Sequence, residues 1–160
     1  MIEGFPRVLI ILGALASALV AGIFLAFSNF IMKALERMAP PGGISAMQSI
    51  NVTVINPLFM TLLFGTAIVC IYLIINALSN WQQSGSSLLL LGGLLYLIGT
   101  ILVTILFSVP RNDVLAALDS SSAQRVPVWS NYVTSWTFWN HVRTISAIGA
   151  ALSFVLALKK

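Results

Sequence analysis

The sequence predicts an all-α fold: a bundle of four transmembrane helices with two longer polar connections on one side. Three observations carry that expectation. The 160 residues are 59% hydrophobic and only 8% charged, with a mean hydropathy of +1.00, whereas soluble domains average about a quarter charged residues. No Lys, Arg, Asp or Glu occurs between Arg37 and Arg111. The apolar runs are each near the ~20 residues that a helix needs to cross ~30 Å of hydrocarbon. A soluble enzyme and a disordered linker are therefore excluded. The chain reads as one integral membrane domain over residues 1–160, multi-pass, in a membrane such as the bacterial inner or plasma membrane.

The first run, 8–32, follows Arg7 and is closed by Lys33. Its start resembles a signal peptide, but its length and the lack of a clear cleavage site favour a retained span. The second run, 57–78, opens at Pro57. Residues 79–87 are short and polar enough for a hairpin of neighbouring antiparallel helices. The third run, 88–109, is expected to stop at Pro110, and the fourth, 137–158, at Lys159 and Lys160. The connections 33–56 and 110–141 then lie together, opposite the 79–87 turn. They hold most of the unusual polar residues, so function is sought there. Counting cations leans toward a cytoplasmic location for that loop side.

The net charge of +4 rests on eight cations, most of them at segment ends. No basic stripe carries interleaved aromatics, so nucleic acid is not an expected partner. Cys70 is the single cysteine, which excludes an internal disulfide or a Cys-x-x-Cys pair. His141 is the single histidine. It has no Cys or carboxylate neighbours at metal spacing, so neither bis-histidine haem ligation nor a metal site within the chain is expected.

At about 100° per residue, Trp129, Tyr132, Trp136, Asn140, Arg143 and Ala147 share one face, provided 129–147 is a single helix. Such a stripe is unfavourable against acyl chains and should face the bundle interior or a cavity. The alternative is an interfacial aromatic belt, with Arg143 snorkelling to head groups. His141 projects off that stripe; it is either structural or the first candidate for proton transfer. Gln48, Asn51, Thr53 and Asn56 precede Pro57 on a segment that Gly42 and Gly43 let turn sharply and that continues into span two with a kink. Gln48 and Asn51 then present amides to one cavity, or else cap and solvate a loop. Tyr96, Thr100, Thr104 and Ser108 recur every four residues in span three, a pattern expected of close helix packing. Ser28 and Asn29 approach the loop side in span one.

Four strings, "FLAFSNFIMKAL", "AMQSINVTVINPLF", "VPRNDVLAAL" and "WNHVRTISA", together resemble the anthrone oxygenase-like family of small four-helix membrane proteins, over about residues 10–155. The resemblance implies an enzyme that oxidises a polycyclic anthrone to an anthraquinone with dioxygen, without a recognised metal or flavin cofactor. By motif it points to Gln48, Asn51, Asn56, Arg111, Asn112, Trp139, Asn140, His141 and Arg143; Trp129, Tyr132 and Trp136 rest on the helical stripe. In the expected mechanism Trp129, Tyr132 and Trp136 form walls, Arg143, Asn140 and Asn51 donate hydrogen bonds, and His141 is the base. The alternative is a non-catalytic module that binds a quinone, lipid or pigment, or an accessory subunit of a larger complex. The expected partners are a hydrophobic small molecule or lipid and the bilayer itself, with homo-oligomers open. A transporter is disfavoured because no carboxylate falls at mid-membrane.

Overall fold

The structure is a computed structural model and describes residues 5–119 and 124–160. It is 87% helix, and no strand occurs among the described residues. The described residues form five helices. α1 (residues 5–36) is α-helical over Phe5–Ala26, π-helical over Phe27–Ile31 and α-helical again over Met32–Glu36. α2 is Pro40–Thr53 and α3 is Pro57–Ser79. α4, Ser86–Ala116, contains two π-helical stretches, Leu97–Leu102 and Thr104–Ser108. α5 is Arg125–Ala157.

Among the described residues, three helices are long and apolar enough to cross a membrane: α1, α3 and α4. Four such helices were expected. α5 is the longest, at 33 residues, but Asn140, His141 and Arg143 interrupt its apolar run.

Several local expectations are corrected. Pro110 does not end the third run. It comes two residues after Thr104–Ser108, where the ladder already runs i→i+5, and the helix continues to Ala116. The segment before Pro57 is not continuous with α3. The backbone at Asn56 is extended (φ −122°, ψ 158°), and its Oδ1 accepts from the Phe59 amide at 3.0 Å. Asn56 is thus an N-cap with proline at N1. Gly42 and Gly43 make no sharp turn; both lie inside α2. A Cβ on Gly43 would sit 2.8 Å from Trp129 Cζ2, so the bare backbone is the seat of that indole.

α1 and α5 pack along each other, and α3, α4 and α5 close the bundle near the 79–87 turn. That turn needs Gly85, whose φ of 93° is left-handed. The core has two apolar halves. One, nearer the turn, is built on Ile10, Leu73, Leu89, Tyr96 and Phe154. The other, toward the long connections, is built on Met32, Ile44, Met47, Leu115, Trp129, Tyr132 and Trp136. Along α5 a polar layer separates them: Asn140, Arg143 and Thr144, all buried, with Ser28 from α1. Large aliphatic residues such as Leu15, Leu19, Ile68, Ile75 and Leu152 cover the outside, a surface suited to acyl chains.

Gly92 lets α4 approach α5: a Cβ there would fall 2.6 Å from the Phe154 ring, whereas a Cβ on Gly22 meets nothing within 4 Å. Gly92→Val is expected to lower stability by about 1–3 kcal/mol through overpacking. Gly22→Ala should leave thermal unfolding in detergent unchanged or slightly raised.

Candidate functional site

Asn140 ties α5 to α1. Its Nδ2 donates to the Phe24 carbonyl and to Ser28 Oγ, both at 2.7 Å, while its Oδ1 accepts from Arg143 Nη2 at 2.7 Å. The last of these bonds is local, between residues three apart on one helix face. The first two use all the donors that a neutral amide has. Thr144 Oγ1 donates to the Asn140 carbonyl at 2.8 Å and lies 3.3 Å from Ser28 Oγ. The layer is therefore closed on the α1 side.

Arg143 is 5% exposed. Its Nη1 donates to Thr104 Oγ1 at 3.4 Å, and its guanidinium carbon lies 4.4 Å from the centre of the Phe24 ring and 4.9 Å from that of Trp136. Cation–π attraction and neutral oxygens are what hold the charge. Glu36, Asp113 and Asp119, the carboxylate side chains among the described residues, are all exposed.

Beside Arg143 lies a cavity of about 250 Å³. Phe24 and Phe27 of α1, Met47 and Asn51 of α2, Phe59 of α3 and Trp136 of α5 contribute to its walls. Thr104, Ser108 and Asn112 come from α4, and Arg143 is the ionisable side chain among the described lining residues. The floor is buried, but the rim is not: Ile55, Phe64, Ile105 and Val109 also line the cavity and are 71%, 49%, 53% and 43% exposed. The contact between α3 and α4 thins from the turn toward Thr104–Ser108, and the cavity opens sideways there. Arg143 Nε, Trp136 Nε1 and Ser108 Oγ are buried without a hydrogen-bond partner, and all three residues line this cavity.

Of the residues singled out from sequence, Asn51, Asn112, Trp136 and Arg143 are thus brought together. Tyr132 stands just outside, donating to Asn112 Oδ1 at 2.9 Å and accepting from Asn51 Nδ2 at 3.4 Å. It lies N-terminal to 137–158, and burial pushes its phenol above the usual range, so it stays a neutral donor. Trp129 stacks on Tyr132 at 5.8 Å, and Tyr132 on Trp136 at 6.2 Å, so the stripe is one buried column.

Other residues are placed elsewhere. Gln48 donates to the Leu115 and Leu118 carbonyls at 2.8 and 3.2 Å, closing the end of α4. It does not share the cavity with Asn51. Asn56 is the exposed N-cap of α3. Arg111 donates to Ser135 Oγ at 3.0 Å and to the Phe107 carbonyl at 2.6 Å. It lines a separate recess with Pro110, Pro127 and Tyr132. Trp139 stacks flat on Phe107, with centroids 3.6 Å apart. His141 is exposed and borders a groove with Lys33, Glu36 and Thr137, on another face of α5 from Arg143.

The four-residue spacing of Thr104 and Ser108 predicts helix packing, yet both line the cavity. Their signal was present in the four-residue hydroxyl row, whose last two members fall beside Asn112. Phe24 gave none, since one phenylalanine in an apolar run resembles any other. Among the described residues no group of three His, Cys, Asp or Glu side chains is placed to hold a metal ion.

A family model described as anthrone oxygenase matches residues 47–153 of the chain. Neither the curated proteins nor the solved structures searched gave a match.

Because Asn140 serves both α1 and Arg143, Asn140→Ala should lower stability by about 1–3 kcal/mol for each buried group left unpaired. His141→Ala should not shift the melting temperature measurably. Thermal unfolding of the two variants side by side in detergent makes the comparison.

Proposed function

The chain belongs to the anthrone oxygenase family, and on that premise we propose a membrane-embedded, cofactor-independent oxygenase that acts on an anthrone-like or other polycyclic aromatic substrate with dioxygen. The observation that supports it most is the set of unpartnered donors on residues lining an apolar, aromatic-walled cavity. In this reading α5 makes a fourth crossing over 137–158, its polar face turned inward. The aliphatic rim at Ile55, Phe64, Ile105 and Val109 admits a substrate dissolved in the bilayer.

The chemistry follows from the substrate's acidity. An anthrone carries a methylene flanked by two aromatic rings, opposite a ketone in the central ring. Loss of one methylene proton gives an enolate whose negative charge rests on the ketone oxygen. A buried guanidinium beside that oxygen favours the enolate far more than water would, because the surroundings are of low dielectric and the donor is already in place. The electron-rich carbon then passes one electron to dioxygen, the radical and superoxide combine into a peroxide anion, and one proton, equal to the one first lost, makes it the hydroperoxide. Loss of water from it leaves the second carbonyl. Overall, CH2 and O2 become C=O and H2O. Asn140 positions Arg143 from behind, and Asn51 and Asn112 present amides at the polar end of the cavity. His141, on another face of the helix, takes no part.

One observation favours a second reading. No His, Asp or Glu is among the described residues lining the cavity, so a general base is not at hand. A module that binds a quinone or pigment needs none.

The two readings part on oxygen consumption. Purified protein in nanodiscs, given a hydroxylated anthrone, should consume oxygen and yield the anthraquinone faster than empty nanodiscs. Arg143→Ala should lose about 100- to 1,000-fold in turnover, the usual scale for removing a donor that faces developing oxyanion charge, while His141→Ala keeps the wild-type rate. Ligand that co-purifies stoichiometrically, with no oxygen uptake above background, would leave the binding module as the answer.

A further inference from the structure

We infer that the cavity beside Arg143 takes its ligand as an anion, and that the ligand is a flat aromatic phenolate or enolate rather than a neutral hydrocarbon or ketone. The inference deepens the proposed function by assigning the charge of the bound species, but it concerns binding alone and stands whether or not oxygen reacts.

The argument starts from charge. Arg143 is 5% exposed, and a guanidinium cannot discard its proton in a protein. Taking such an ion out of water costs several kcal/mol even after relaxation, and buried cations are ordinarily paired with anions. Here the described carboxylate side chains are all exposed and none lines the cavity. The partners within reach are neutral: Asn140 Oδ1, Thr104 Oγ1 and the faces of Phe24 and Trp136. Those contacts reduce the cost without cancelling the charge, so the cavity keeps a positive potential that a monoanion neutralises. Arg143 Nε, Ser108 Oγ and Trp136 Nε1, on three lining residues, have no acceptor. An oxyanion has more lone pairs than a ketone to serve such donors, and charged acceptors make the stronger bonds.

The shape argues for an aromatic body on that oxygen. Phe24, Phe27, Phe59 and Trp136 are among the residues that line the cavity, and aromatic faces pack best against flat rings. The volume of about 250 Å³ is just under the roughly 300–1,000 Å³ of common small-molecule sites, which suits one compact polycycle. A fatty-acid carboxylate carries the same charge and enters from the same bilayer. It is the rival source of an oxyanion, and the experiment includes it.

The test is a binding measurement in nanodiscs of neutral lipid, followed by tryptophan quenching under argon. The probes are 4-nitro-1-naphthol, whose hydroxyl ionises in mildly acid solution, its methyl ether, which cannot ionise, and laurate. At neutral pH the naphtholate should bind at least about tenfold more tightly than the ether, and laurate should not displace it. In Arg143→Gln that preference should vanish through weaker naphtholate binding, with the ether little changed. Arg143→Lys keeps the charge and should keep part of the preference, which covers the case in which Arg143→Gln fails to fold. Ser108→Ala should narrow it by several-fold. Equal affinity for naphtholate and ether in the wild type, or a preference that survives Arg143→Gln, would overturn the inference. Displacement by laurate at similar concentration would overturn its aromatic part. A naphtholate preference without oxygen uptake on anthrone would sink the oxygenase and keep this inference; uptake without the preference would do the reverse.

Discussion

A single guanidinium held inside an apolar bundle by neutral neighbours is the constraint from which the rest of this structure follows. Arg143 sits where a charge costs several kcal/mol to bury, and the surrounding residues are arranged to offset that cost. Asn140 gives it a short hydrogen bond, Thr104 a longer one, and Phe24 and Trp136 cover it with ring faces. Asn140 can do so only because its amide nitrogen is committed to Phe24 and Ser28, which fixes which end of the amide faces the arginine. The interhelix contact that locks α1 against α5 is therefore also the one that aims the charge.

The π-helical stretches belong to the same arrangement. Phe27–Ile31 in α1 begins one residue before Ser28, and Thr104–Ser108 in α4 begins and ends on the two hydroxyl residues that line the cavity. A π-turn widens the helix and rotates the residues after it relative to an ideal 3.6-residue repeat. Two helices that are regular near the 79–87 turn thus change register at the depth of Arg143, where α3 and α4 also lose contact. The same loosened ladder lets α4 run through Pro110, so that Asn112, beyond the proline, still faces the cavity. The side chain of Arg111 donates to the Phe107 carbonyl, satisfying an acceptor in the irregular turn. Irregular backbone at membrane depth is tolerable where it lines a cavity, and Phe27 of the first stretch and Thr104, Ile105 and Ser108 of the second line this one.

How much of this could be read from the sequence differs from residue to residue, for physical reasons. The stripe Trp129, Tyr132, Trp136, Asn140, Arg143, Ala147 was legible because helical periodicity fixes which residues share a face, and all six are buried. The same periodicity placed His141 off that face. The cavity's partners from other helices were less legible, since periodicity within one helix does not say which neighbour meets it. Asn51, Gln48 and Asn56 look alike in a string of amides ahead of a proline, yet only Asn51 reaches the cavity. Asn56 is one residue from a helix start and is captured by the Phe59 amide; Gln48 is captured by the open carbonyls at the end of α4. Local backbone groups compete for short polar side chains, and a sequence does not reveal where a distant helix will end. The continuous helix expected through Pro57 failed for a related reason: the residue before proline is pushed out of the α region, and Asn56 turns that into a cap. The run 137–158 predicted as a fourth span is not among the helices apolar enough to cross, because the residues that build the polar layer are the ones that lower the apolarity of α5.

The absence of an acid–base side chain from the described cavity lining is less of an obstacle to catalysis than it first looks. A general base helps most when the proton to be removed is held tightly, and an anthrone's methylene proton is not, because its loss makes the central ring aromatic. What limits such a reaction in hydrocarbon is the charge created, since an enolate in an apolar medium has nothing to solvate it. On the proposed reading Arg143 removes that penalty without moving: its guanidinium lies over the Phe24 and Trp136 rings, its Nη2 is tied to Asn140, and the Asn140 amide is tied to α1. The reorganisation that water would undergo around a new anion is thus replaced by dipoles and a charge set during folding. A site of that kind acts on the ionisation equilibrium of its ligand rather than on the rate of one proton transfer. Oxygen, being small and apolar, partitions into the same lipid phase from which the proposed aromatic substrate would enter. On the proposed oxygenase reading, the protein's task reduces to holding an electron-rich anion in a place that oxygen already reaches.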